Sequence, residues 1–336
     1  MLFPIWLMSD RAGTETEEHR KQEELRALHE SGAAKSPIRP GRTDPFPADS
    51  YLRGKFFADI PTRELSVSEV LPYFDWKLFY AIWGIRHSGQ ESSRHSGLDP
   101  ESPADPVVQL SADAIDRLEA LKRGDGCRIR IAARFDACHA EGDDIVATGG
   151  WRLPMLRQAG PDGRSLADFV APAGYGFDSP AGFFAISVSA KEENDHPAGC
   201  NCPACTSMDY DSLLDRSLRL TLAEAASGWL DAELAKQLPK GSPVRIIKPA
   251  AGYASCPDHS LKRDILALLP HAEALDIRLT ESCAMIPDAS ICGLVFAHPE
   301  ASYPDIRRLS PAALDAYAAR RGFSPEETRL FLGPLR

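Results

Sequence analysis

The chain has 336 residues, of which 43% are hydrophobic, and this composition suffices for a substantial buried core. Its formal net charge of −10 argues against a general affinity for nucleic acid, because phosphate binding needs clustered Lys and Arg. The apolar start, residues 1–8, is too short for a membrane span and has no basic residue before it, so we expect a cytoplasmic globular protein without membrane or nucleic-acid partners.

The first predicted elements form an N-terminal arm. Residues 14–30 are good helix formers, and residues 33–47 are rich in Pro, Gly and Arg, so we assign residues 1–50 to a helical arm and a linker. After the arm, apolar residues at helical spacing predict two short helices over residues 66–74 and 76–85. A polar near-repeat at residues 87–103 then predicts an inserted loop.

The rest of the chain mixes predicted strands and helices. In chain order they are a Ser-capped helix 111–122, strands 127–135 and 144–148 around a turn at 141–143, a strand 182–189, a helix 208–234, a helix 259–268, strands 275–282 and 290–297, and Ser-capped helices 310–320 and 324–332. Strands and helices do not alternate as β-α-β units. This order favours an α+β domain with a mainly antiparallel sheet.

Soft metal ligands crowd into a Cys-rich insert at residues 194–206. His196, Cys200, Cys202 and Cys205 lie within ten residues of one another, and such a set could surround zinc or anchor an iron–sulfur centre. The sequence has no second Cys pair with finger spacing. The alternative is therefore a reduced surface loop with incidental thiols, and both interpretations stay open.

Six segments of the chain share their order with the landmarks of one known family. They are residues 74–79, 142–145, 166–172, 248–259, 279–285 and 298–303. Together they resemble the activation domain of cobalamin-dependent methionine synthase, which binds S-adenosylmethionine. The resemblance implies a single C-shaped α+β domain over residues 51–336, with a mainly antiparallel, twisted sheet, surrounding helices and the two inserts.

In that family the domain presents the methyl group of S-adenosylmethionine to a cobalamin held elsewhere, while flavodoxin or a similar donor supplies an electron. The resemblance implies that this chain supports reductive remethylation of cob(II)alamin on a separate methionine synthase core or related corrinoid protein. It would act there as an accessory subunit. Cobalamin belongs to the partner, because the motif around Asp136 and His139 has one residue too many for a cobalamin-binding pattern and lies in a predicted hairpin.

The ligand's chemistry and the resemblance together select seven site residues. A zwitterionic sulfonium needs a cation or amide donors for its carboxylate, an acid for its ammonium and a wall for its adenine. Lys248 would bind the carboxylate and Asp75 the ammonium, although Asp75 could instead cap a helix. The other predicted contacts are the Ala250 backbone, Gly252, Tyr253, Glu281 and Tyr303.

Two positions depart from the family pattern. The family's usual residue at Lys248 is Arg, whose planar fork grips a carboxylate with two bonds, and Pro304 stands where a second Tyr is common. These departures leave a second hypothesis open, an S-adenosylmethionine-sensing or metal-dependent interaction module that has lost reactivation. An independent methyltransferase is disfavoured, because no Gly-rich nucleotide loop follows a predicted strand.

Overall fold

An antiparallel sheet forms the centre of the fold. The computed structural model describes residues 45–85, 106–124, 126–160, 163–190, 209–307 and 309–335. The strands in these ranges are β1 (Ile60–Leu65), β2 (Cys127–Glu141), β3 (Asp144–Ala147), β4 (Arg152–Pro154), β5 (Ser179–Ala190), β6 (Arg245–Ile247), β7 (Arg278–Leu279), β8 (Met285–Ile286) and β9 (Ser290–His298). Seven of them form one sheet in the order β4-β3-β2-β5-β9-β6, with β1 beside β2, and all its pairings are antiparallel. The predicted α+β class with a mainly antiparallel sheet is confirmed.

Helices surround this sheet. Those in the described ranges are α1 (Val67–Val70), α2 (Trp76–Ile82), α3 (Pro106–Lys122), α4 (Tyr210–Ala235), α5 (Leu261–Leu268), α6 (Pro311–Arg321) and α7 (Pro325–Leu332). The two short helices predicted near the start are confirmed as α1 and α2. Both predicted Ser caps at the C-terminal end are confirmed as well, since Ser310 and Ser324 each accept a backbone N–H in the first turn of the following helix.

The central strand β5 buries side chains on both faces of the sheet. Phe183 and Ala185 pack in the layer that also contains α5, whereas Phe184 and Ile186 pack in the layer that contains α1 to α4. Alternation along a strand requires this division, because successive side chains point to opposite faces. A third, smaller apolar cluster joins α6 and α7 to the turn after β7.

Three details of the predicted elements are wrong. Ser111 does not start α3, which begins at Pro106; its hydroxyl lies within the helix and donates to the Val107 carbonyl at 2.6 Å. The strand predicted over residues 275–282 is reduced to β7, because a 3-10 helix occupies Ala272–Leu275 and a tight turn follows Leu279. The short strands β1, β4, β6 and β8 were not predicted, since two to six residues carry too little periodicity.

Several predicted segments fall outside the described residues. These are the polar insert 87–103, the Cys-rich insert 194–206 and residues 1–44 of the predicted arm and linker. Phe46, near the end of that linker, is buried against the sheet. Among the described helices, none combines the length and apolar character that crossing a bilayer requires.

Candidate functional site

The predicted binding loop continues the edge strand β6 alongside β9. Ala251 donates its N–H to the Cys292 carbonyl at 3.0 Å, and the Pro249 carbonyl accepts from Leu294 at 3.0 Å. Ala250 lies between these two bonds and faces Gly293 as an antiparallel bridge. In such a pair the flanking residues make the cross-strand bonds, so the Ala250 N–H points to the open edge of the sheet. A backbone donor at that edge is what the sequence predicted.

A sharp turn follows at Gly252. Its backbone has φ +100°, and its N–H donates to the Cys256 carbonyl at 2.7 Å. A Cβ at this position would lie 2.5 Å from Cε1 of His259, so both the backbone angle and the space require glycine. The turn places Tyr253 at the tip of the loop, where its side chain is 68% exposed.

Lys248 begins the loop and points toward α4. Its ammonium bonds the hydroxyl of Ser227 at 2.7 Å, the carboxylate of Asp231 at 2.9 Å and the backbone carbonyl of Ser227. These contacts use all three N–H donors, and the side chain is only 8% exposed. Burial lowers the pKa of Lys248, and Asp231 offsets part of this effect. A ligand carboxylate therefore has to share an ammonium that α4 already holds.

Tyr303 contacts the same end of the loop. Its hydroxyl accepts the backbone N–H of Lys248 at 3.0 Å, while its ring is 58% exposed. The segment that carries Tyr303 starts at His298, whose Nδ1 accepts the Glu300 N–H at 3.0 Å. Burial lowers the pKa of His298 to about 4, which keeps this acceptor neutral. Tyr303 is thus fixed in place through its hydroxyl, with an open ring face.

Asp75 caps α2 and lies in a segment that packs on α4. Its Oδ1 accepts the Lys77 N–H at 2.8 Å, so the alternative of a helix cap is confirmed. Oδ2 accepts no hydrogen bond from any residue that the structure describes, and the side chain is exposed. Two residues earlier, Tyr73 packs against Gly228, where an added Cβ would lie 3.0 Å from the Tyr73 Cβ. Because Gly228 follows Ser227, Asp75 and Lys248 belong to segments that meet neighbouring positions of α4.

A groove of about 660 Å³ borders the other end of the loop. Gly252, Tyr253 and His259 line one wall, and side chains of α7 and its C-terminal extension line another. The wall includes the exposed Leu330 and the buried Phe331. The loop therefore has a polar end against α4 and a largely apolar groove at its tip.

Comparison with known proteins gives this geometry a context. The family model of the vitamin B12-dependent methionine synthase activation domain matches residues 66–322. The chain belongs to this family. A solved structure, described as the MetH reactivation domain bound to AdoHcy, is also similar, with 25% sequence identity and a TM-score of 0.70. That match covers 89% of this chain and 99% of the solved one, so the family and the fold expected from the sequence are both confirmed.

In this activation domain Glu281 lies in the turn between β7 and β8 and does not join the cluster around Lys248. The predicted half-buried strand acid is an exposed turn residue whose backbone carbonyl accepts from Arg263 at 3.1 Å. The turn forms because Cys283 adopts φ +61° and donates its N–H to the Thr280 carbonyl at 2.9 Å. Ser282, the next residue, lines the groove instead.

Sequence reasoning missed the contribution of α4. Glu224, Ser227 and Asp231 repeat at intervals of three and four, so they share one face of the helix. Lys248 contacts two of them, and it also opposes the rise in pKa that burial causes at Glu224. The signal that could have found them is the spacing of two acids and a small polar residue along one face of the helix.

The predicted metal ligands and the cobalamin-like pattern that the sequence analysis rejected lie in different parts of the chain. His196, Cys200, Cys202 and Cys205 lie outside the described residues, and the residues that are described contain no group suited to a metal ion. His139 lies on β2, and its Nδ1 is 3.0 Å from the Asp178 carboxylate. An antiparallel strand with this internal partner supports the view that the cobalamin-like pattern is a coincidence.

Proposed function

We propose that this activation domain binds S-adenosylmethionine and supports reductive remethylation of cob(II)alamin on a separate methionine synthase core or related corrinoid protein. The main support for this proposal is the loop at residues 248–259, which combines an open backbone donor, a glycine-dependent turn and an exposed tyrosine. The AdoHcy-bound state of the similar solved structure supports this ligand class. A flavodoxin-like donor would supply the electron.

The charges near Lys248 fit the ligand. S-adenosylmethionine carries a positive sulfonium, an ammonium and a carboxylate, so its site needs more negative than positive groups. Glu224 and Asp231 on α4 both interact with the Lys248 ammonium, and Asp75 lies on a segment that meets α4 next to Ser227. The carboxylate of the ligand would bind the Ala250 N–H and share Lys248 with Asp231. When bound, the ligand supplies a reactive methyl group.

The protein's own part is placement. Tyr303 and Lys248 fix the start of the loop, while Gly252 turns the chain so that Tyr253 projects next to the groove. An exposed aromatic ring beside an apolar groove suits docking of the partner's cobalamin, a flat macrocycle with amide side chains. No nucleophile or acid–base pair is needed, because the methyl donor is already activated.

The binding claim is tested by calorimetric titration of S-adenosylhomocysteine into the wild type and Asp75→Asn. Asn keeps the helix cap but removes the charge, so we expect about a tenfold loss of affinity from one lost charge-assisted contact. Asp116→Asn, an exposed acid on α3, is the matched control and should bind normally. No measurable binding by the wild type would refute the ligand.

Reactivation is tested separately by adding the protein to a cob(II)alamin-loaded methionine synthase core that lacks its own activation domain, with S-adenosylmethionine and a reductant. We expect conversion to methylcobalamin, followed by its absorbance spectrum. A protein that binds the ligand yet fails to convert the core would lack the proposed activity.

The engaged ammonium of Lys248 favours one alternative, an S-adenosylmethionine-sensing module without reactivation. A ligand carboxylate that competes with Asp231 and Ser227 for the Lys248 ammonium binds more weakly than one that meets the free guanidinium of an Arg. In that case ligand binding would persist in the titration while the methylcobalamin assay stays negative.

A further inference from the structure

The ring of His259 covers the backbone of Gly252. Three ring atoms, Cε1, Nδ1 and Nε2, lie 2.5, 2.8 and 3.0 Å from the place where a Cβ of Gly252 would be. The Gly252 N–H is bonded to Cys256 on the other side. The turn that presents Tyr253 is therefore held between a hydrogen bond and an imidazole ring.

Lys262 fixes the orientation of that ring. Its Nζ lies 3.0 Å from Nδ1 of His259 and donates to the Cys283 carbonyl at 3.0 Å, and the residue is only 5% exposed. An ammonium has donors and no acceptor, so Nδ1 must be the acceptor. The proton of the neutral imidazole is then on Nε2.

Each charged group around His259 favours this neutral form or is already engaged. The Asp258 carboxylate accepts the Tyr317 hydroxyl at 2.8 Å and the Ser260 N–H at 2.8 Å, and it lies 3.3 Å from Arg321. Across the groove, Arg307 is paired with Asp305 at 2.6 Å. Partial burial and then Lys262 lower the pKa of His259, and Asp258 only offsets them.

We propose that His259 is a positioning residue whose neutral Nε2–H tautomer, set by Lys262, holds the Gly252–Tyr253 turn in its binding form, and whose protonation releases that turn. This inference rests on the proposed function for its effect on ligand affinity. A protonated ring would bring a second cation to 3.0 Å from Lys262, and Nδ1 would lose its lone pair.

The sign of the pH effect follows from the neutral form being the active one. The turn is intact above the ordinary histidine value of 6.5 and is lost as pH falls through the lowered pKa of His259. We expect affinity for S-adenosylhomocysteine to fall by about tenfold for each pH unit below that pKa. Neither the carboxylate nor the ammonium of this ligand titrates in that range.

The first test reads the tautomer directly in the ligand-free protein. Nitrogen-15 NMR should give the Nε2–H pattern for His259 at about pH 7.5, and the Gly252 amide shift should titrate together with the ring on acidification. In Lys262→Met both transitions should move to higher pH, because the neighbouring cation is gone. An Nδ1–H tautomer, or a Gly252 amide that ignores the ring, would overturn the inference.

The second test compares pH profiles of S-adenosylhomocysteine binding. His259→Gln, which cannot titrate, should bind more weakly than the wild type at neutral pH and should lose the part of the pH slope that His259 contributes. His271→Gln is the control, since this histidine is 80% exposed and lies outside the site, and it should keep the wild-type slope. An unchanged slope in His259→Gln refutes the inference. Absence of wild-type binding at every pH refutes the proposed function instead, while the ligand-free NMR result still decides the role of His259.

Discussion

The two ends of the proposed binding loop differ in how far their polar groups are already hydrogen-bonded within the protein. At the start, Lys248 is buried and all three of its donors are used by α4. At the tip, Tyr253 is largely exposed and borders an open groove, and the ring of His259 packs on the preceding glycine. The charged end at Lys248 is closed by the protein itself, whereas the end at Tyr253 is open.

Because of this difference, one end of the loop fixes it to the protein and the other end presents Tyr253 to a partner. A buried, paired ammonium resists movement because leaving Asp231 or Ser227 costs hydrogen bonds to a charged group. An exposed ring on a glycine turn makes few internal contacts and is free to meet a partner. We therefore expect changes at the charged end to alter stability and ligand affinity, and changes at the tip to alter docking, with Gly252 affecting both.

The largest effect is expected from Gly252→Ala, because this change should affect both ligand affinity and the presentation of Tyr253. The residue has φ +100°, a conformation that costs an alanine about 1–3 kcal/mol, and the added Cβ meets the His259 ring. Ligand affinity should fall by roughly a hundredfold, measured by calorimetry. Gly241→Ala is the control, because its φ is +76° but its Cβ would face open space. If both variants lost the same affinity, the contact between Gly252 and His259 would have no role in ligand binding.

Lys248→Met tests the anchor. Removing the ammonium takes this donor from the Asp231 carboxylate and the Ser227 hydroxyl, so the free energy of unfolding should fall by about 2 kcal/mol. Chemical denaturation measures it, with the exposed Lys240→Met as the control. A stability equal to that of the wild type would mean that the contacts with α4 contribute nothing.

Lys248→Arg tests whether this position also binds the ligand carboxylate. Arg carries five donors in a planar fork, two more than Lys, so it can hold α4 and still offer a bond to the ligand carboxylate. We expect severalfold tighter S-adenosylhomocysteine binding in a calorimetric titration. Weaker binding with unchanged stability would argue that the ligand carboxylate does not meet this position.

Tyr303→Phe removes one hydrogen bond and keeps the ring. Losing the acceptor for the Lys248 N–H should cost about 1 kcal/mol of unfolding free energy, with a small loss of affinity. Denaturation and titration of the same preparation separate the two effects. A large affinity loss with no stability change would assign the hydroxyl to the ligand rather than to the loop.

The smallest effect on stability is expected for Tyr253→Ala. The side chain is 68% exposed, so the free energy of unfolding should change by no more than about 0.5 kcal/mol. Conversion of a cob(II)alamin-loaded core should nevertheless slow strongly, because the exposed ring is the proposed docking contact. Normal conversion by this variant would move docking to another surface.

Much of the fold could be predicted because its signals are local. Apolar residues form a nearly continuous run along β5 and recur at helical spacing in α4, and Ser residues precede α6 and α7. Where the local signal was weak, prediction failed. β6 has only three residues. The segment around Glu281 turns because Cys283 adopts a left-handed conformation, which a cysteine in the sequence does not predict.

The sequence by itself determined the family, the α+β class and the choice of the loop that we propose as the site, because these depend on motif order, periodicity and a glycine that no other residue replaces. Only the tertiary structure decided which groups Lys248 and His259 contact. Lys248 could face a ligand or a helix, and it meets Ser227 and Asp231 because the packing of α4 brings them there. His259 follows Gly252 by seven positions in the chain, yet only the folded turn stacks its ring on that glycine and brings Lys262 to its Nδ1.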